Sequence, residues 1–181
     1  MIVRRARIED ARAITRVHVE SWRSTYAGLL PDDVLLRLSD TKHETGWWRH
    51  ALGRIKRRHF VYVAEDETGS VVGFVSGGPS RDRELTATGE IYALYLLDSH
   101  HGEGAGRALF LRLARKLRRE CGKSLSVWVL ARNPSRFFYE AIGGRRMATR
   151  MERVGKEQVE AVAYGWDDID TLFESTSTDR R

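Results

Sequence analysis

The segment His101-Gly102-Glu103-Gly104-Ala105-Gly106-Arg107 is the part of the chain that says most about its fold. It follows an apolar run, Ile91 to Leu97, and precedes a helical pattern, Arg107 to Arg119. Three glycines at alternate positions let the backbone of a strand-to-helix turn curl and present its N–H groups outward. The helix that follows adds unpaired amides and the positive end of its dipole. The segment therefore predicts a site for a phosphate or diphosphate, and so an anion-bearing cofactor.

Two well-known phosphate-binding motifs do not fit this segment. A Walker loop needs Gly-x-x-x-x-Gly-Lys-Ser/Thr, but Arg107-Ala108 stands where Lys-Ser/Thr would be. A dinucleotide fingerprint needs Gly-x-Gly-x-x-Gly and an acidic residue about 20 positions on. Here the order is Gly-x-Gly-x-Gly, and the later positions carry Cys121, Gly122 and Lys123. The spacing disfavours both motifs, and an ordinary glycine-rich loop stays open as the alternative.

Length and composition predict one globular domain over residues 1–169, followed by a polar, disordered tail over residues 170–181. The chain has 181 residues, of which 41% are hydrophobic and 31% charged. No apolar run approaches the roughly 18–20 residues of a membrane span, and no signal-peptide pattern opens the sequence. We therefore expect a cytoplasmic protein with no membrane partner. The single cysteine, Cys121, excludes a disulfide framework and is expected to be a packing residue.

The excess of basic residues raises the question of nucleic acid, because the formal net charge is +6. These residues are widely distributed, however, and those between Arg112 and Arg119 fall on the solvent side of a helix whose buried stripe is Leu109, Leu113 and Leu117. Zinc-ligand patterns and RNA-binding aromatic motifs do not stand out. The six histidines show no mutual metal spacing, so we predict no metal and regard a nucleic-acid-binding protein as the weaker alternative.

Hydrophobic periodicity and turn residues predict the element order β-α-α-β-β-β-α-β-α-β-β. The predicted strands cover residues 2–8, 60–64, 71–75, 90–97, 124–130, 145–153 and 158–164, with a loop over 77–83. The predicted helices begin at Glu9-Asp10, Pro31-Asp32-Asp33, Ser39 or Asp40, Gly104 and Asn133. The fold class is thus α/β (α+β), a mixed sheet of about seven strands with helices on both faces. An antiparallel meander leads into one parallel β-α-β step.

This order, with a glycine turn after the fourth strand, resembles the GNAT superfamily of acyl-CoA-dependent N-acetyltransferases. The family's central motif reads roughly Gln/Arg-x-x-Gly-x-Gly/Ala, and His101-x-x-Gly104-x-Gly106 occupies those positions. The segment from Asn133 through Phe137-Phe138-Tyr139-Glu140 to Gly143-Gly144 resembles its Asn…Phe-Tyr-Glu-x-x-Gly-Phe segment. The chain departs from the family at His101, at Gly144, where a large residue is common, and at Glu103, where a basic residue is common.

The resemblance implies that coenzyme A binds where the fourth and fifth strands splay apart. Its pantetheine arm would pair with free backbone groups around Leu94, Leu96 and Leu97, and Asn133 could touch the same arm. Its diphosphate would lie on the turn. The residues implied there are His101, Gly102, Glu103, Gly104, Ala105, Gly106 and Arg107. Capping of a helix alone would also explain Asn133.

The resemblance also implies direct transfer of an acetyl group from acetyl-CoA to a primary amine. A lysine-like amine has a pKa near ~10.4, so its neutral form costs about 4–5 kcal/mol at neutral pH. Glu90 is the candidate base, directly or through a water, and strand alternation places it on one face with Tyr92, Leu94 and Leu96 unless a bulge intervenes. The alternative is a structural glutamate that holds a neighbouring loop or arginine.

Two further groups complete the implied reaction centre. A backbone N–H near Leu96 would stabilise the oxyanion, and Tyr139 would donate to the departing thiolate. Tyr139 could equally be a core tyrosine beside Phe137 and Phe138.

The cluster of Ser21-Trp22 and Tyr26 resembles the first-helix region of many bacterial family members, where the acceptor pocket lies. Trp22, Tyr26 and Tyr92 are the candidate acceptor-binding residues, although core packing accounts for the first two almost as well. The sequence leaves open the identity of the amine and a homodimer through the late strands. A non-catalytic acyl-CoA-binding or regulatory module of the same fold is the other alternative.

Overall fold

The computed structural model describes residues 1–28, 41–53 and 58–174. The strands are β1 Ile2–Arg5, β2 Phe60–Glu65, β3 Val71–Pro79, β4 Gly89–Leu96, β5 Leu125–Leu130, β6 Arg145–Val154 and β7 Glu157–Trp166. The α-helices are α1 Ala11–Tyr26, α2 Thr41–Gly53, α3 Ala105–Glu120, α4 Arg136–Ala141 and α5 Thr171–Glu174. Single 3-10 turns occupy Ile8–Asp10 and Asp98–His100. The helix start predicted at Pro31-Asp32-Asp33 and the caps predicted at Ser39 or Asp40 lie outside the described residues.

The strands form one mixed sheet in the order β1-β2-β3-β4-β5-β7-β6. β1 pairs antiparallel with β2, and β7 pairs antiparallel with both β5 and β6. β4 and β5 are parallel, and this pairing joins Gly89–Ile91 to Leu125–Val127. The predicted fold class, with its single parallel β-α-β step across helix α3, is confirmed.

The sequence predicts one domain, whereas contacts divide the chain into two compact units. The first consists of Met1–Ser76 and Ala93–Leu113, and the second of Gly77–Tyr92 and the chain from Ala114 onward. In the first unit, Ile14 and Val17 of α1 are fully buried against Val63 and Phe74. Their three-residue spacing places them on one helix face.

Helix α3 covers the opposite face of β2 in the first unit. The Arg112 guanidinium lies 5.4 Å from the centre of the Tyr62 ring, whereas Val61 and Val63 belong to the core beneath α1. Because successive side chains of a strand point to opposite faces, helices lie on both sides of β2.

The end of the second unit is more ordered than the sequence predicts. Residues 170–174 were expected in a disordered tail, yet Thr171–Glu174 form helix α5. The Ile169 side chain is fully buried, and its N–H donates to the Lys123 carbonyl over 2.8 Å. Arg118 pairs with Asp170 over 2.8 Å, and Leu172 is buried. These contacts hold the segment in place, and residues 175–181 lie outside the described part of the chain.

Strand β3 continues through Pro79, where a loop was predicted from Gly77. Glycine has a low strand propensity, so a loop is the local preference at Gly77-Gly78. The strand lies between β2 and β4. Both glycines are buried, and just beyond them the Ser80 N–H donates to the Thr88 carbonyl over 3.0 Å, so pairing within the sheet outweighs the weak local preference.

Candidate active site

The glycine turn before α3 contains two residues in the left-handed conformation. Gly102 and Gly104 have φ angles of +81° and +82°, a left-handed region in which a Cβ atom causes strain. A Cβ added at either position would meet no atom within 4 Å. Conformation, and not crowding, therefore requires glycine here, and the space above the turn is open.

The amides that follow the turn are donors at the positive end of a helix. Helix α3 begins at Ala105, and the Ala108 N–H bonds to the Gly104 carbonyl over 3.0 Å. The N–H groups of Ala105, Gly106 and Arg107 come before this first bond of the helix, so they have no acceptor within the helix. An oxyanion seated on the turn would be their natural acceptor, so these residues fit the diphosphate of coenzyme A. Glu103 and Arg107 are exposed at the rim.

The end of β4 differs from the expectation of free backbone groups. The Leu97 N–H donates to the Val72 carbonyl and the Leu97 carbonyl accepts from the His100 N–H, both over 2.9 Å. Both backbone groups of Leu97, which were expected to be free, therefore have partners within the chain. The Leu96 carbonyl lies 3.0 Å from His101 Nε2 and accepts from the Ser21 hydroxyl at 3.3 Å. The expected backbone contacts of Leu94 and of the Leu96 N–H stay predictions.

The side chains of β4 do not alternate regularly between the two faces. In the second unit, a Cβ on Gly89 would lie 3.5 Å from Leu117 of α3, so the neighbouring Glu90 faces away from that helix. In the first unit, a Cβ on Gly73 would lie 2.6 Å from Leu96 Cδ1 and 3.2 Å from Leu109 of the same helix. Regular alternation would put Glu90 and Leu96 on one face. The alternation is therefore interrupted between Glu90 and Leu96, as it would be by a β-bulge.

Glu90 is a buried carboxylate bound by three donors from one neighbouring residue. It is 3% exposed. The Arg81 backbone N–H donates to Oε2 over 2.7 Å, and the Arg81 guanidinium donates to Oε1 through Nε at 3.1 Å and through Nη2. Since a carboxylate has about four lone-pair sites, about one is left, on Oε2. This arrangement is the structural alternative considered above, a glutamate that holds a neighbouring loop and arginine.

Tyr92 also contacts Arg81 and so supports the same arrangement. The Arg81 guanidinium lies 3.9 Å from the centre of the Tyr92 ring, and the Tyr92 hydroxyl donates to the Pro79 carbonyl over 2.6 Å. Burial raises the pKa of Tyr92 to about 12. Tyr92 is therefore a neutral hydrogen-bond donor that anchors the loop after β3.

Tyr139 and Asn133 both have well-defined structural roles in the second unit. Tyr139 is 5% exposed, with its ring 5.3 Å from Phe138 and nearly parallel to Tyr164 at 6.2 Å. The Asn133 side chain accepts a bond from the Ser135 N–H at 2.8 Å. This turn delays the start of α4 to Arg136, three residues later than predicted. Asn133 thus forms a turn before the helix, whose N-cap residue is Ser135, and its contact with a cofactor stays a prediction.

The first unit contains a cluster of aromatic rings on α1 and β4. Trp22 donates from Nε1 to the Tyr95 hydroxyl over 2.8 Å, and its ring lies 4.6 Å from that of Tyr26. Tyr26 is 4% exposed and belongs to the core, whereas Trp22 is half-buried. The sequence analysis singled out Trp22 and Tyr26 but missed Tyr95.

Sequence reasoning also missed a pair of titratable residues beside this cluster. His18 Nδ1 contacts Glu44 Oε1, which also accepts from Trp48 Nε1 at 3.3 Å. The sequence analysis considered the histidines only as metal ligands. One signal was available, because His18 and Trp22 are four residues apart and so share a helix face.

Within residues 1–28, 41–53 and 58–174, no group of three or more His, Cys, Asp or Glu side chains could hold a metal ion. In the same residues, no helix has the length and apolar character needed to cross a bilayer.

Comparisons with known proteins agree with the fold. The chain is 39% identical to the uncharacterized N-acetyltransferase YuaI of Bacillus subtilis over 170 residues, which cover 94% of this chain and 95% of that protein. It is 30% identical to the L-methionine sulfoximine/L-methionine sulfone acetyltransferase of Salmonella typhimurium over 129 residues, which cover 70% and 68%.

A solved structure shares the fold at lower identity. The PaiA N-acetyltransferase of Thermoplasma acidophilum, in complex with coenzyme A, superimposes with a TM-score of 0.71 at 20% identity, covering 88% of this chain and 96% of that one. The sequence profile of the Acetyltransferase (GNAT) family matches residues 16–143. The fold and the enzyme class implied by the sequence motifs are thereby confirmed, and this chain belongs to the acetyltransferase (GNAT) family.

Proposed function

We propose that this protein transfers an acetyl group from acetyl-CoA to a primary amine of a small molecule or peptide, by direct attack in a ternary complex. The observation that carries the proposal is the left-handed pair Gly102 and Gly104 at the start of α3. The turn leaves open space beside the first three amides of the helix. The coenzyme A in the Thermoplasma structure supports the same donor.

The reaction requires few side chains. Acetyl-CoA supplies a thioester, the amine nitrogen forms a bond to its carbonyl carbon, and the C–S bond breaks. In the proposed mechanism, the Leu96 N–H stabilises the oxyanion and the Tyr139 hydroxyl donates to the thiolate. Glu90, the base that the resemblance implies, could act only through a water on the remaining lone pair of Oε2, since the guanidinium and backbone N–H of Arg81 engage the other sites.

Among acceptors we place amino acids first. The support is the Salmonella relative, whose name gives L-methionine sulfoximine and L-methionine sulfone as the compounds that it acetylates. Thiol release from acetyl-CoA with these two compounds, compared with polyamines and a peptide N-terminus, tests this ranking. A homodimer and a cytoplasmic location stay predictions.

A matched pair of glycine variants tests the donor site. Gly104→Ala and Gly69→Ala both place a Cβ at a φ near +80° with no neighbouring atom, so each should lose about 1–2 kcal/mol of stability. Gly69 lies in the β2–β3 turn. Calorimetry should show coenzyme A binding weakened about tenfold or more in Gly104→Ala alone, because its Cβ would occupy the diphosphate space. Equal affinities in the two variants would overturn the proposed site.

Turnover separates the proposal from its alternatives. A non-catalytic acyl-CoA-binding module would bind coenzyme A and release no thiol with any amine. A nucleic-acid-binding protein would be retained on nucleic acid with a steep salt dependence, unaffected by coenzyme A.

A further inference from the structure

We propose that His18, oriented by Glu44, is the group that takes the proton from the acceptor amine. This inference rests on the proposed acetyl transfer and replaces Glu90 as its principal base. Both residues lie in the first unit, His18 on α1 and Glu44 on α2. Neither belongs to the motifs that carried the family resemblance.

The contact between the two side chains fixes which ring nitrogen is basic. His18 Nδ1 faces Glu44 Oε1, and a carboxylate is an acceptor only, so Nδ1 carries the hydrogen. In the neutral ring, Nε2 then holds the lone pair that accepts a proton. Trp48 Nε1 donates to the same Glu44 oxygen at 3.3 Å and holds the carboxylate in place.

The pair lies beside the strand that carries the proposed oxyanion donor. The centre of the His18 ring is 4.8 Å from that of Tyr95 on β4. One turn further along α1, the Ser21 hydroxyl donates to the carbonyl of Leu96. The His18 side chain is 21% exposed and that of Glu44 is 16% exposed. The imidazole is thus held by its neighbours but can still be reached from solvent.

The surroundings of the imidazole suit a group that accepts a proton. The titratable groups that contact it are the Glu44 carboxylate from α2 and the Tyr95 phenol from β4, while β3 contributes the apolar ring of Phe74. A carboxylate beside the ring stabilises the imidazolium that forms when Nε2 takes a proton. By contrast, the Glu90 carboxylate is paired with the permanent positive charge of the Arg81 guanidinium.

The proton and bond changes balance without a further reactant. The amine nitrogen forms the C–N bond to the acetyl carbon and gives its proton to His18 Nε2. The C–S bond breaks, and the electron pair leaves with the sulfur. The imidazolium then returns the proton to solvent or to the thiolate, which restores the neutral ring.

The test uses the purified full chain, acetyl-CoA and an amine that the wild-type protein acetylates, with L-methionine sulfone tried first, followed by polyamines and a peptide. In His18→Gln, kcat/KM at pH 7 should fall about 100-fold or more, and the acid limb of its pH profile should disappear. Glu44→Gln should lose about tenfold and keep that limb, because the imidazole is still present. His50→Gln, an exposed residue on α2, is the matched control and should retain wild-type rates.

Coenzyme A affinity distinguishes failure of the proposed His18 role from failure of acetyl transfer as a whole. All three variants should bind coenzyme A as the wild type does, which also shows that they fold. A His18→Gln enzyme with at least half of the wild-type rate, or with an unchanged acid limb, would overturn the role of His18 and leave acetyl transfer intact. Failure of the wild-type protein to bind coenzyme A or to acetylate any amine would overturn both.

Discussion

Glu90 and Glu44 are both largely buried carboxylates that accept several hydrogen bonds, but their donors differ in kind. Glu90 is bound by the guanidinium and backbone N–H of Arg81. Glu44 is bound by the imidazole of His18 and the indole of Trp48. An arginine keeps its charge at every pH at which the protein folds, whereas an imidazole gains and loses a proton near neutrality. The donors of a carboxylate, more than its burial, decide whether it fixes a loop or serves proton transfer.

The largest effect on stability should come from replacing Arg81, whose guanidinium is permanently charged. Arg81→Leu would leave the Glu90 carboxylate buried with only a backbone donor. Loss of one partner of a fully buried pair costs about 3–5 kcal/mol, and since the Arg81 side chain is 61% exposed, water should reduce the loss to about 2–3 kcal/mol. Urea denaturation at pH 7 measures this change in the free energy of unfolding.

A surface pair provides the control for this experiment. Arg145 pairs with Asp167, and both side chains are at least 70% exposed. Arg145→Leu should therefore change stability by no more than about 0.5 kcal/mol. An Arg81→Leu protein as stable as this control would mean that Glu90 does not depend on its arginine, and the contrast with Glu44 would lose its basis.

The sequence was sufficient for the features that depend on local backbone chemistry. The alternate glycines predict a turn that presents its N–H groups, and Gly102 and Gly104 have left-handed φ angles that suit such a turn. The element order along the chain and the single parallel step follow from hydrophobic periodicity and turn positions. Such features depend on each residue's own conformational preferences, which a single sequence contains.

The sequence was insufficient where a side chain meets a distant partner. His18 and Glu44 are 26 positions apart, and no local pattern links them. Arg81 and Glu90 are nine positions apart across a loop whose path fixes the pair. The geometry of these sites follows from tertiary packing, so the candidate base was assigned to Glu90 on resemblance alone.

A smaller loss of stability should appear at alkaline pH through Tyr92, which contacts the arginine that binds Glu90. Burial raises the pKa of Tyr92 from its ordinary value of 10 to about 12. Between these values the unfolded chain loses the phenol proton while the folded chain keeps it, so stability is full below pH 10 and falls as pH rises toward 12. With allowance for solvent screening of this half-buried group, the loss should be about 1 kcal/mol.

Tyr92→Phe checks the assignment of this alkaline loss. The variant should be less stable at pH 8 by about 1 kcal/mol, because the hydrogen bond to the Pro79 carbonyl is lost. It should lack the part of the decline between pH 10 and 12 that belongs to Tyr92. Identical slopes for the two proteins over this range would show that other groups cause the loss.

The smallest effect on stability should come from Glu44→Gln, even though we expect this change to slow the reaction. The amide oxygen of glutamine can still accept from Trp48. A neutral His18 ring would lose a hydrogen-bond acceptor, but no uncompensated charge would be left. The cost should therefore be about 1 kcal/mol, clearly below that of Arg81→Leu, with Glu103→Gln on the exposed turn as the control. A loss of 3 kcal/mol or more, on the scale of a broken buried ion pair, would mean that Glu44 meets a fixed positive charge. The two carboxylates would then be alike, and the argument that His18 exchanges a proton would fail on stability measurements alone.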